Sequence, residues 1–314
     1  MQALKGLVLG FTLALSAGAF AIDTLTLAIG QRGTWENSAP EVGQQMGIFE
    51  KHGLKLEILY TQGAGETIQA VLSNSADLGM GVGTPGVLAA YEKGAPIRAL
   101  ANGMTGASDL LWYVPANSPL QSFKDVNGKT VAYSTNGSSS NQGVLALAKL
   151  YGVTPRPVAT GSPPSTFTQV MSGQVDVGWS VPTFVAAALK EKRIRMVARL
   201  SDVPALRVQT VRLTVSNIRT LAQKKEQLAR FFTAYAETME KMYSDPAAMK
   251  VYVEWAKVPD FDPVLRDQFY PKENLRPGLL SGVKEVMDDA VAMKFIKKPL
   301  TDAQFKELFG SYQK

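Results

Sequence analysis

The stretch Tyr133-Ser134-Thr135-Asn136-Gly137-Ser138-Ser139-Ser140-Asn141 gathers hydroxyls, amides and a glycine where an apolar run gives way to a helical pattern. Thr130-Val131-Ala132-Tyr133 reads as a strand, and Val144, Leu145, Leu147, Ala148 and Leu150 recur with helical spacing. A helix start leaves backbone N–H groups unpaired at the positive end of a dipole, so it can hold an anion. Ser134, Thr135, Asn136 and Ser138 add side-chain donors, and Gly137 lets the backbone approach a guest closely. The same residues also suit an ordinary solvent-facing N-cap.

A cation and two aromatics extend this chemistry. Arg212 sits in a strand-like alternation running from Arg207 to Val215. Its planar fork could clamp a carboxylate or sulfonate through two parallel hydrogen bonds, although a surface strand residue looks no different in sequence. Arg207 competes for the role. Trp35 and Trp179 lie in polar loops at predicted strand ends and suit the walls of a small-molecule cleft, whereas Trp112 and Tyr113 suit a hinge. Asp77 and Asp176 each precede a strand glycine, a setting for a structural turn or cap rather than for catalysis.

Enzymatic alternatives lack parts. His52 is the single histidine, placed before Gly53 at an expected helix end, and there is no cysteine. A Ser-His-Asp triad would have to recruit that distant histidine. A metal site has no ligands at the usual spacing, so no metal and no cofactor is expected. No phosphate loop ending in Gly-Lys-Ser/Thr occurs.

These residues must be positioned by alternating strands and helices. Leu25–Ile29, Leu54–Leu59, 77–82 and Ile97–Ala101 read as strands, with helices opened by Ser38-Ala39-Pro40, Gly63-Ala64-Gly65 and Thr84-Pro85. That order implies mostly parallel sheets flanked by helices. A repeat sharpens it: Leu72-Ser73, Asp77, Gly79, Pro85 and Ile97-Arg98 match Met171-Ser172, Asp176, Gly178, Pro182 and Ile194-Arg195. Two related α/β lobes follow, with ligands expected outside the carboxyl ends of the strands, in a cleft between them. Lobe 1 is expected over 22–111 and 213–314, and lobe 2 over 112–212. The two crossovers are Asp109–Pro115 and Leu206–Val215. The helical tail, with a stripe of Leu228, Phe231, Phe232, Tyr235, Met239 and Met242, reads as packing onto the first lobe and nothing more.

Residues 1–21 hold one charge, Lys5, then an apolar run and an Ala-x-Ala exit, the pattern of a cleavable secretory signal. With no cysteine to lipidate, a periplasmic location is expected. The formal charge of +6 includes Lys5 and comes without a Lys/Arg block, which argues for a solvated surface and against nucleic-acid binding.

Met46-Gly47-Ile48-Phe49, Gly63-Ala64-Gly65-Glu66, Ser75-Ala76-Asp77-Leu78-Gly79, Gly83-Thr84-Pro85, Gly94-Ala95-Pro96-Ile97 and Ser172-Gly173-Gln174-Val175-Asp176 together carry a resemblance. The chain resembles substrate-binding proteins of ABC importers in the nitrate, sulfonate and taurine-binding superfamily, a group that includes proteins similar to thiamine-pyrimidine synthases. The resemblance implies a type II periplasmic binding fold, two α/β lobes joined by two crossovers. It implies a monomer that captures a small molecule and delivers it to an inner-membrane ABC permease. It places ligand contacts on Gln31 and Trp35, on Thr84, on Ser108 and Asp109, on Ser134, Thr135, Asn136, Gly137 and Ser138, and on Trp179, with Arg212 as the candidate clamp. A small organic anion, an aromatic carboxylate or a sulfonate, is the leading ligand class. A cationic or neutral pyrimidine stays open because Glu36, Glu66 and Asp109 occupy the same loops. The synthases' histidine loop is here Gly83-Thr84-Pro85, so their activity is not expected.

Overall fold

Asp77 and Asp176 show how the two halves are built. Asp77 Oδ2 accepts from Thr26 N at 2.9 Å, and Asp176 Oδ2 accepts from Thr130 N at 2.8 Å, so each tethers the strand beside it. The computed structural model describes residues 22–278 and 280–310; the expected leader lies outside them. The described strands are β1 (Asp23–Gly30), β2 (Leu54–Thr61), β3 (Leu78–Gly83), β4 (Ile97–Thr105), β5 (Leu111–Pro115), β6 (Thr130–Tyr133), β7 (Arg156–Ala159), β8 (Gly178–Ser180), β9 (Ile194–Arg199) and β10 (Thr210–Asn217).

The first sheet runs β2-β1-β3-β10-β4. β1 is parallel to β2 and β3, while β10 is antiparallel to both neighbours. In the second half β6 and β7 are parallel, and β5 is antiparallel to β8 and β9. A parallel bridge between Val131 and Val177 joins the two groups, so the order β7-β6-β8-β5-β9 repeats that of the first sheet. Each sheet thus takes one antiparallel strand from a crossover. Deeper detail repeats too: Thr61 and Thr67 hydroxyls pair at 2.7 Å, Thr160 and Thr166 at 2.6 Å. The fold is α/β with two related lobes, a periplasmic binding architecture.

β10 begins later than its alternation suggests. Residues Pro204–Val208 form a 3-10 turn, with Arg207 Nε bonded to Ser201 O at 2.6 Å, and the strand starts at Thr210. Proline pre-sets a turn φ, and the turn consumes the residues that alternate. Arg207 is exposed in that turn and is no clamp. Every residue of β10 is buried, because the strand is central and covered on both faces. Arg212 therefore belongs to the first sheet, opposite Gly83 on β3 and Met104 on β4.

The tail packs on the first lobe as its stripe implies. Leu228, Phe231, Tyr235, Met239 and Met242 are buried on the helix Lys225–Ser244, with Phe231 stacked on Phe49 at 5.6 Å. Asp262 caps the helix Pro263–Phe269 by accepting from Leu265 N. The tail also does something its sequence does not announce, supplying the aromatic rings that bury Trp35.

Candidate ligand site between the lobes

β1 ends at Gly30, and Gln31 (φ 71°) and Gly33 (φ 93°) turn the chain sharply. Trp35 then anchors the loop. It is fully buried against Tyr243, Tyr252 and Phe261 and donates Nε1 to Tyr243 OH at 3.1 Å. With Trp35 held in the first-lobe core, the next residues, Glu36 and Asn37, face the space between the lobes.

Arg212 meets them from β10. Its Nη1 donates to Glu36 Oε1 at 3.1 Å and to Asp109 Oδ2 at 2.8 Å, and its Nε donates to Ser139 Oγ at 3.0 Å. All three charged side chains are buried, with 5% of Arg212, 4% of Glu36 and none of Asp109 exposed. One guanidinium faces two carboxylates, and Glu36 Oε2 and Asp109 Oδ1 have no hydrogen-bond partner among the described residues. Burial pushes the Glu36 carboxyl up to about 7; Arg212 opposes the rise and Asp109 adds to it. Burial works against the Arg212 charge, yet Asp109 and Glu36 together lift its pKa above the ordinary guanidinium value.

The second lobe answers with hydroxyls. Ser138 Oγ caps the helix Ser139–Tyr151 by accepting from Asn141 N at 3.1 Å. Ser140 Oγ accepts from Ser134 N at 2.9 Å, and Asn141 Oδ1 accepts from Gly137 N at 3.1 Å. Much of the polar stretch therefore holds itself in shape. Ser134 Oγ and Trp179 Nε1 remain buried without partners among the described residues. Buried polar atoms are paired in most folded proteins, so such a set marks a place for a guest.

These atoms surround one cavity, lined on the first-lobe side by Glu36, Asn37 and Arg212 and on the second by Ser134, Ser138 and Trp179. The volume open to the centre of a water-sized sphere is about 30 Å³, which describes a closed form around a small polar pocket. The lobes meet directly. Gly86 N donates to Gly137 O at 3.0 Å and Gly65 N donates to Thr135 Oγ1 at 3.2 Å. A Cβ on Gly83 would lie 2.4 Å from Gly137 O, so the seam depends on glycine there.

Of the residues singled out in the sequence, Gln31, Ser134, Ser138, Trp179 and Arg212 line this cavity. Asp109 braces it through Arg212. Thr135, Asn136 and Gly137 lie elsewhere: Thr135 and Gly137 join the seam, and Asn136 Oδ1 accepts from Tyr133 OH at 2.6 Å. Three expectations need correction. Trp35 is a core residue, because tail helices cover it. Thr84 donates to Thr210 O at 2.7 Å, and Ser108 to Phe269 O at 2.7 Å, so both hold the backbone rather than facing the cavity. Arg212, the candidate clamp, shares its Nη1 between two carboxylates and gives its Nε to Ser139.

Glu36, noted in the sequence as an acid of the cleft loops but given no contact role, lines the cavity. Its signal was an acid directly after a buried tryptophan in a strand-end loop. Tyr235, Tyr252 and Tyr270, all from the tail, feel its charge; burial raises their hydroxyl pKa values, and the Glu36 charge adds to each rise. His52 lies outside the cavity lining, paired with Glu237 at 2.9 Å. Glu66 Oε2 accepts from Gln62 N and stays in its own loop.

The element order and the paired sheets are those of the periplasmic binding protein fold. The chain belongs to the NMT1/THI5-like family, whose model matches residues 38–249. It is 24% identical over 228 residues to a 4-amino-5-hydroxymethyl-2-methylpyrimidine phosphate synthase of Uromyces fabae, an alignment covering 69% of this chain. The chain spans 65% of that relative's length. Among solved structures, the alkanesulfonate-binding protein of Xanthomonas axonopodis pv. citri bound to MOPS is similar, with a TM-score of 0.70 and 19% identity over 86% of this chain and 90% of that one. The periplasmic nitrate-binding protein of Synechocystis PCC 6803 gives 0.67 and 13%, over 90% and 83%. Among the described residues no helix is long and apolar enough to cross a membrane.

Proposed function

We propose that the protein is the periplasmic solute-binding component of an ABC importer. Its ligand is a small neutral or cationic molecule that carries N–H groups, with an aminopyrimidine as the leading class. The carrying observation is Glu36 Oε2, a carboxyl oxygen with no partner among the described residues, buried beside a cavity where Arg212, the one lining cation among those residues, is already bonded to two carboxylates. An anionic head group would lie against the two acids and keep Glu36 from ionising, whereas an N–H donor would pair with Oε2. The leading anion expectation from sequence is therefore set aside for its alternative. Ser134 Oγ and Trp179 Nε1 serve as further contacts, and Gln31 and Ser138 complete the wall. The synthase relative, named for an aminopyrimidine, agrees with this class; the sulfonate- and nitrate-binding neighbours share the architecture.

Capture rather than conversion is supported by the inventory of groups. The cavity lining has neither histidine nor cysteine, and the Gly83-Thr84-Pro85 loop offers no base. The seam of backbone contacts suits a cycle in which the lobes close on a ligand, present the loaded surface to a permease and open to release it. The leader read over 1–21 would deliver the chain to the periplasm.

A thermal-shift screen of the purified protein tests the reading. 4-Amino-5-hydroxymethyl-2-methylpyrimidine and related amines are expected to raise Tm, by an amount equivalent to about 2.7 kcal/mol at a hundredfold excess over Kd. Stabilisation by alkanesulfonates or nitrate alone would overturn the ligand class, and turnover of the pyrimidine would overturn the binding-protein reading.

A further inference from the structure

Resting on that ligand class, we propose that Glu36 holds a proton in the empty closed site and gives it up on capture, so that the loaded site contains a carboxylate paired with a ligand cation. The argument begins with the count of charges. Glu36 and Asp109 share a single Arg212 nitrogen, and the three side chains are almost wholly buried. With both acids ionised the buried cluster would carry one uncompensated negative charge in a low-dielectric setting, which is costly.

Among the described residues no other group that interacts with Glu36 offsets it. From its own loop come Thr34 and Asn37, both neutral; Asn37 Nδ2 donates to Oε1 at 3.1 Å and leaves Oε2 alone. From β10 comes Arg212, from the β4–β5 crossover Asp109, and from the tail the phenols of Tyr235, Tyr252 and Tyr270. The phenols resist ionisation, because burial raises each of them. A proton on Glu36 is thus the simplest way to balance the empty site. Burial drives its carboxyl in that direction, to about 7, so the proton is held in mildly acid solution and is easily displaced.

The exchange balances in both forms in which a ligand can arrive. A ligand that arrives as a cation displaces the proton from Glu36 to solvent. A ligand that arrives neutral accepts the proton at a ring or amine nitrogen. In both cases the O–H bond of the Glu36 carboxyl breaks, and its electron pair stays on Oε2 to face the N–H of the ligand. For the cationic route, affinity falls about tenfold for each pH unit below the Glu36 pKa, since one proton is released per ligand bound.

The test is a side-chain carbon NMR titration of the full chain labelled at the glutamate carboxyl carbons. The Glu36 signal is assigned by its loss in Glu36→Gln. In the empty protein the signal is expected to report a protonated acid at pH 6 and to titrate near 7. With 4-amino-5-hydroxymethyl-2-methylpyrimidine bound at pH 6, it is expected to report a carboxylate. An ionised Glu36 in the empty protein at pH 6 overturns the proposal whatever binds. A signal that stays protonated when the pyrimidine is bound overturns the exchange while leaving the ligand class intact. Failure of the pyrimidine to bind removes the ligand class and the exchange together, and the empty-site titration is then read on its own. Should Glu36→Gln fold poorly, Glu36→Asp serves for assignment, because it shifts the signal into another residue type.

Discussion

At the end of β1 the chain places Gly30, and at the matching end of β6 it places Ser134, four residues beyond the threonines tethered by Asp77 and Asp176. The pattern recurs. Gly63 and Gly81 in the first lobe match Ser162 and Ser180 in the second, by the same hydrogen-bonded frame. The first lobe is therefore bare backbone where the second carries hydroxyls. The reason is spatial: a Cβ on Gly63 would lie 2.4 Å from Ser134 Oγ, and one on Gly81 2.6 Å from Asn37 Nδ2. Charge divides the same way, since Glu36, Asp109 and Arg212 all come from the first sheet and its loops. A duplicated scaffold has been specialised, with one lobe holding the charged cluster and glycine clearances and the other a hydroxyl-bearing plug.

The largest expected effect breaks the charged side of that comparison. Arg212→Ala leaves two buried carboxylates without a cation and is expected to cost about 3–5 kcal/mol in denaturant unfolding. Ser139→Ala, which removes its second-lobe partner, should cost about 1 kcal/mol. Comparable losses for the two would mean that charge is not confined to the first lobe.

The frame shared by the lobes comes next. Asp77→Ala and Asp176→Ala should each cost about 1–3 kcal/mol, because each strands the N–H of a strand threonine. Asp176 is held below the usual carboxylate range: burial opposes this, but the backbone N–H and hydroxyl of Thr130 outweigh it. A depressed folded pKa stabilises above the unfolded value, and that contribution disappears as pH falls through the folded one. Loss of stability on acidification below about pH 4 should accordingly be shallower in Asp176→Ala than in the parent protein.

Gly83→Ala tests the clearance directly. Its φ of −63° suits alanine, so the lobe itself should fold normally, with Tm nearly unchanged. The added methyl meets Gly137 O, so ligand affinity should fall by about tenfold or more and small-angle scattering should report a more open shape. The smallest effect belongs to the Lys190–Asp260 pair, which crosses between the lobes at 2.9 Å on the surface. Lys190→Ala should alter affinity by less than about 1 kcal/mol, and high salt should erase the difference.

The frame was legible in sequence because it is local and repeated. Strand–helix alternation and the Asp-Gly-Pro spacing read directly into the two sheets. The site was less legible because its contacts are distant: Arg212 meets Glu36 across 176 residues and Asp109 across 103. Nothing near Arg212 in sequence shows that its Nη1 is shared by two carboxylates. Trp35 looked like a cleft aromatic because its loop is polar, and only Tyr243, Tyr252 and Phe261 from the tail bury it. The start of β10 was misplaced because Arg207-Val208 alternate like a strand while Pro204 sets a turn.

The central claim is that Glu36 selects a ligand bearing N–H groups within a site that already holds two acids and one cation. Calorimetric titration of the purified chain with 4-amino-5-hydroxymethyl-2-methylpyrimidine and with an alkanesulfonate, repeated on Glu36→Ala, tests it most directly. The expected result is saturable binding of the pyrimidine, weakened by about tenfold or more in the variant, and none of the sulfonate. Sulfonate binding to the parent protein, or pyrimidine affinity left unchanged in Glu36→Ala, would contradict it.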